Sequence, residues 1–158
     1  MLLRTVLIGI SVAFAFALVG CGTDPAISQA RTTLVSASRI VTDIDARASD
    51  GPAAFGSEVA ARSAEPGQQT HWAALQRALR DAAGRLEQAS EALDIWEAGD
   101  SDGGAWTTIT PCLAHALAEI RAHLEALGVQ ASMQLDVALA QASSNGEHCA
   151  SRRPPAEP

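Results

Sequence analysis

The feature that most constrains the fold is a stretch between residues 70 and 98 in which apolar residues recur at alternating steps of three and four. This spacing places one stripe of side chains along a single face of an α-helix, as in coiled-coil packing. Thr70 is a favourable N-cap for such a helix, and Gly99 is a favourable residue to end it. The stripe consists of Trp72, Leu75, Leu79, Ala82, Leu86, Ala89, Leu93 and Trp96. A stripe this long needs partner helices to cover it.

Two further segments carry the same helical spacing between suitable start and stop residues, and a third, less cleanly periodic, follows them. The short connection predicted between the last two makes them antiparallel neighbours. We therefore predict an all-α antiparallel bundle of three to four helices over residues 25–145, with a linker at 49–69 that holds one or two helical turns at 57–64. The first helix begins at Asp24-Pro25 and ends at Asp50-Gly51-Pro52, the third begins at Thr110-Pro111 and ends at Gly128, and the fourth covers about Ser132 to Ala142.

The composition excludes one class of partner and shapes the expected core. The chain of 158 residues has 18 acidic residues against 11 cationic ones, all of them arginine, and a formal net charge of −7. We expect no binding to nucleic acid, because that binding depends on clustered cations. With three Phe and no Tyr, the core must rely on aliphatic residues, alanine and the three Trp. Residues 146–158 are polar and proline-rich, which predicts a disordered tail.

The first twenty residues have the layout of an export signal. Arg4 and the amino terminus supply the positive end, residues 6–19 carry no charge, and small residues follow. An uncleaved membrane anchor is the alternative. The apolar run is shorter than the ~20 residues that a spanning helix needs, which favours the cleaved signal.

The end of this segment, Leu18-Val19-Gly20-Cys21, resembles the lipobox of bacterial lipoproteins. The resemblance implies that residues 1–20 are removed and that Cys21 becomes the first residue, with diacylglycerol on its sulfur and an acyl chain on its amino group. Residues 21–24 would then be a lipidated tether on the periplasmic side of the cell envelope. In Gram-negative members an aspartate after the cysteine tends to retain the protein at the inner membrane, so Gly22 favours the outer membrane.

Two cysteines, Cys112 and Cys149, remain as an even pair in an oxidising compartment. They are equidistant from the predicted turn between the third and fourth helices. Residues placed in this way lie side by side at the open end of a helical hairpin. The sequence therefore predicts a disulfide that clips this hairpin, and the alternative is two unrelated thiols.

One group of residues has the spacing of metal ligands. His115, Glu119 and His123 lie four residues apart, so a helix could present all three to a divalent ion. A helical wheel places His115 and Glu119 on the solvent side, away from the apolar stripe, and only His123 flanks the stripe. An exposed row without supporting neighbours is a weak site. We therefore favour a solvated face with an ion pair, and we expect no cofactor.

An acidic group lies around the end of the second predicted helix. Its Asp100-Ser101-Asp102-Gly103 resembles the start of a calcium loop, but Thr110 and Pro111 stand where the pattern requires a glutamate. A negative patch that contacts a basic partner is the better interpretation. The other members are Glu87, Glu91, Asp94 and Glu97.

The chain contains no hydrolase, phosphate-binding or haem-attachment motif, which predicts that it is not an enzyme. We expect a membrane-anchored interaction or structural module that docks an envelope protein or a second copy. Trp72 and Trp96 are the candidate partner-binding residues, and the long second helix is expected to overhang its neighbours. The alternative is a lipoprotein that binds a small ligand or a divalent metal through His115, Glu119 and His123.

Overall fold

The computed structural model describes residues 24–143, and every regular element in that range is helical, which confirms the predicted all-α class. Four long helices are joined by short connections, and the first connection contains a 3₁₀ turn and a short helix. The elements are α1 (Pro25–Ser49), the 3₁₀ turn (Pro52–Phe55), α2 (Ser57–Arg62), α3 (Pro66–Glu97), α4 (Gly104–Ala126) and α5 (Met133–Ser143). The proposed signal segment, Cys21, Cys149 and residues 146–158 lie outside the described range.

The four long helices form a closed ring of antiparallel neighbours. α1 packs against α3 and α5, and α4 packs against the same two helices. Arg31 near the start of α1 forms a hydrogen-bonded ion pair with Glu97 at the end of α3. The hydrogen bond from the guanidinium holds the pKa of the Glu97 carboxyl below its usual value. Arg121 late in α4 lies 3.2 Å from Asp136 early in α5. These pairings give an up-down-up-down bundle.

The core follows the predicted apolar stripes. In α3, every leucine and alanine of the stripe is buried, and the two tryptophans at its ends are half-buried. The α4 stripe of Leu113, Leu117, Ile120, Leu124 and Leu127 is buried as well. A smaller group, the second cluster, closes the bundle where α3 ends and α4 begins; it consists of Ala30, Ala89, Leu93 and Trp106.

The predicted start of the third long helix at Thr110-Pro111 is wrong. α4 begins at Gly104, so Pro111 lies in its interior. Proline in a helix interior costs about 3 kcal/mol because it removes an N–H and crowds the preceding turn. Burial of Trp106 offsets this cost: its side chain, only 3% exposed, anchors the first turns of α4 in the second cluster.

The predicted start of the second long helix is also late, because the expected N-cap is Thr70 and Glu65 occupies that position, five residues earlier. α3 begins at Pro66, whose fixed φ suits the first turn of a helix. Thr70 is not a cap: its hydroxyl donates to the Pro66 carbonyl oxygen at 3.1 Å. The connection between α1 and α3 is therefore shorter than predicted. The helical turns expected at residues 57–64 are present as α2.

α3, with 32 residues, is the longest helix, against 25 residues in α1, 23 in α4 and 11 in α5. The leucines and alanines of its stripe are buried, and Trp72 and Trp96 at the two ends of the stripe are half-buried. α4 starts about two turns earlier than predicted, which lengthens its contact with α3. No helix within residues 24–143 is both long and apolar enough to cross a bilayer.

Candidate site at the linker end of the bundle

The chain between α1 and α3 folds against one end of the bundle, which we call the linker end. Phe55, in the 3₁₀ turn, packs edge-to-face on Trp72 near the start of α3, with ring centroids 5.7 Å apart. The Arg47 guanidinium lies 4.5 Å from the centroid of the Phe55 ring and donates to the Ala54 carbonyl oxygen at 3.2 Å. The connection is thus fixed to the end of α1 by a cation–π contact and a hydrogen bond.

A pocket of about 200 Å³, the Trp72 recess, opens between this connection and the helix ends. Its deep wall is apolar: Val59 of α2 and Leu127 after α4 are both buried. Trp72 forms one side and remains half-exposed. The full lining is Pro52, Val59, Ser63, Gln68, Gln69, Trp72 and Leu127.

The polar residues at the rim of the recess are braced by hydrogen bonds to the backbone. The Gln68 amide donates to the Ala126 carbonyl oxygen at 3.5 Å, which ties the start of α3 to the end of α4. The Gln69 amide donates to the Ala64 carbonyl oxygen at 3.3 Å. The rim therefore belongs to the same rigid end of the bundle as the apolar wall.

Two histidines from different helices face each other beside the recess. The Nδ1 atoms of His71 and His123 are 3.5 Å apart, with ring centroids 5.7 Å apart, and both side chains are half-buried. His71 precedes Trp72 in α3, and His123 lies one turn before Leu127. The sequence pattern singles out His123 but not His71, because only the register of the α3–α4 pair brings the two together.

The predicted row of metal ligands is not assembled. His115 and Glu119 form an exposed pair, with Nε2 and Oε1 3.6 Å apart and side chains 64% and 50% exposed. This agrees with the solvated face that the helical wheel favoured. His123 is directed to His71 instead. Among the described residues, no group of three or more His, Cys, Asp or Glu side chains is placed to hold a metal ion.

The opposite end of the bundle, which we call the loop end, holds Trp96 and most of the acidic group. The indole of Trp96 lies over Gly103 and packs against the second cluster. The Asp102 carboxylate accepts a hydrogen bond from the Gly104 N–H at 3.0 Å, and Ser101 accepts one from the Gly103 N–H. The segment that resembled a calcium loop therefore caps the start of α4.

Cys112 lies in α4 and is 9% exposed. Its predicted disulfide partner, Cys149, lies outside the described residues. The disulfide therefore stays a prediction.

No protein-family model, curated protein or solved structure matches this chain. The fold defines the molecule as an antiparallel four-helix bundle. Bundles of this kind carry many unrelated functions, so the function depends on the site and not on the fold.

Proposed function

We propose that the protein is a lipid-anchored protein of the cell envelope and that its bundle is an interaction module with the Trp72 recess as its docking site. The anchor rests on the lipobox-like Leu18-Val19-Gly20-Cys21. The observation that supports the docking site is the recess itself, an apolar cavity of about 200 Å³ that is open at the surface.

Under the proposed anchoring, the recess lies at the end of the bundle that is far from the membrane. α1 starts at Pro25, four residues after Cys21, so the loop end of the bundle is the end next to the proposed lipid. α1 has 25 residues and is about 37 Å long, because each residue adds roughly 1.5 Å. The linker end, with the Trp72 recess, lies at the far end of that helix.

The partner that fits is a polypeptide that inserts one large apolar side chain. The recess has room for a single leucine-sized or aromatic side chain, and its wall of Val59, Trp72 and Leu127 offers only apolar contact. The residues that dominate protein interfaces are enriched in tryptophan and lie near the centre of the contact, inside a ring that excludes water. We assign the partner contact to Trp72, because Trp96 already covers Gly103 inside the bundle.

The anchor predicts a specific mass for protein taken from the membrane fraction. We expect the mass of residues 21–158 plus a diacylglycerol and one further acyl chain. A Cys21→Ser variant is expected to keep the full-length mass and to lose the lipid, because the modified sulfur is absent. Unmodified full-length protein in the wild-type membrane fraction would contradict the lipobox interpretation.

Replacing Trp72 by alanine is expected to abolish docking while leaving the bundle folded. A photo-crosslinking residue placed at Gln69, an exposed position on the rim, should form one main adduct in intact cells. The Trp72→Ala variant should lower the adduct yield at least tenfold, because it removes one side of the recess. The yield and the thermal midpoint are measured on the same variants.

Trp96→Ala is the matched control at the other end of the molecule. It should lower the thermal midpoint, because Trp96 packs on the second cluster, and it should keep the crosslinked adduct. Equal loss of adduct in the two variants would contradict docking at the recess. An adduct of twice the protein's own mass would identify the partner as a second copy.

A further inference from the structure

We propose that His71 and His123 form a two-histidine site for a divalent transition-metal ion that bridges α3 and α4. The proposal is independent of the docking function. It is based on the facing Nδ1 atoms of the two rings, 3.5 Å apart on neighbouring antiparallel helices.

The distance between the nitrogens fits a shared ion. Metal–imidazole bonds are about 2.0–2.1 Å long, so two nitrogens on one tetrahedral ion lie roughly 3.3 Å apart. The observed 3.5 Å requires only a small closing movement of the rings. The ligands are held by long helices on either side, α3 with 32 residues and α4 with 23, so the site is largely formed before the ion arrives.

In the absence of an ion, the same contact is a single hydrogen bond at the long end of the usual range, with one ring nitrogen as donor and the other as acceptor. A shared ion would use the lone pairs of both nitrogens. The rings are half-buried, so their outer side remains open to water.

The ligand set determines which ions bind. Within residues 24–143 there is no third His, Cys, Asp or Glu to complete a closed site, so water fills the remaining positions. Imidazole with water suits Zn²⁺, Ni²⁺ and Cu²⁺, and it does not suit Ca²⁺ or Mg²⁺, which prefer several oxygen ligands. The site is distinct from the exposed row at His115 and Glu119, with which it shares only His123.

Titration calorimetry of metal-free, oxidised mature protein with ZnCl₂ and NiCl₂ tests the site. We expect one ion per chain for the wild-type protein and no heat with MgCl₂ or CaCl₂. His71→Asn and His123→Asn should each weaken binding at least tenfold. His115→Asn and His148→Asn, which change the other two histidines of the chain, should bind as the wild type does.

A second measurement locates the ion in the intact wild-type protein. Substoichiometric Ni²⁺ should broaden the ring proton signals of His71 and His123 in NMR spectra before those of His115. The proposal is overturned if wild-type protein takes up no ion, if His71→Asn binds as tightly as wild type, or if His115→Asn removes binding. Broadening that begins at His115 would overturn it as well.

Discussion

Replacing Gly103 by alanine is expected to lower the free energy of unfolding by about 3 kcal/mol. Gly103 has φ +81°, a left-handed conformation that costs an L-residue roughly 1–2 kcal/mol. A Cβ at this position would also lie 2.7 Å from Cε2 of Trp96. The indole cannot move freely because it packs on the second cluster, so overpacking adds about 1–3 kcal/mol.

Variants at two other glycines distinguish the conformational cost from the overpacking cost. Gly99 also has a positive φ, +80°, but no atom lies within 4 Å of the position that a Cβ would take, so Gly99→Ala should cost only about 1 kcal/mol. Gly84 is exposed in α3, and a Cβ there would contact no other atom within 4 Å. Gly84→Ala should stabilise the protein by about 0.5–1 kcal/mol, because alanine favours a helix more than glycine does. Urea unfolding measures all three variants. An equal cost for Gly103→Ala and Gly99→Ala would show that Trp96 does not close over the loop as described.

Removing the proposed Cys112–Cys149 disulfide is expected to cost about 4 kcal/mol, because the bond closes a loop of roughly 37 residues in the unfolded chain. This is a large share of the roughly 5–15 kcal/mol that stabilises a domain of this size. Cys149→Ser is the cleaner variant. Cys112 is buried, so a serine there would also place a hydroxyl in an apolar environment.

Urea unfolding with and without a reductant tests the bond. The wild-type protein should lose stability in the reductant, and its mass should rise by two hydrogens. Cys149→Ser should show the lower stability in both conditions. If the reductant leaves the wild-type transition unchanged, the two cysteines are unrelated thiols.

The parts of the fold that depend on local pattern could be predicted from the sequence. Leu75 and Leu79 in α3, or Leu117 and Leu124 in α4, are buried because a period of three and four leaves a helix one apolar face. The end of α3 at Gly99 follows from the same kind of local signal, since glycine adopts a positive φ at little cost.

The start of α4 could not be predicted in this way, because local and tertiary preferences conflict there. Thr110-Pro111 is a good helix start by itself, and an unaided helix would begin there. Burial of Trp106 against Leu93 and Ala89 supplies the free energy that carries the helix through the proline. That contact forms only in the packed bundle, so the spacing of apolar residues around position 110 does not predict it.

The candidate site shows the same limit. Trp72 stands out in the sequence because it ends an apolar stripe, yet the recess beside it is formed by Val59 and Pro52 from a segment with no clear periodicity. The pairing of His71 with His123 depends on how far α3 and α4 are shifted along each other. The helical period of α3 or of α4 alone does not determine that shift.

The distribution of charge between the two ends of the bundle has a consequence for its orientation on a bilayer. The loop end carries Asp24, Asp94, Asp100 and Asp102, while Arg31 at that end is already paired with Glu97. Under the proposed anchoring, this acidic end lies within a few residues of the lipid surface. Anionic headgroups repel it over a Debye length of about 8 Å at physiological salt. Under that anchoring, the repulsion keeps the loop end off the headgroups at low salt, and higher salt, which screens it, lets this end approach them.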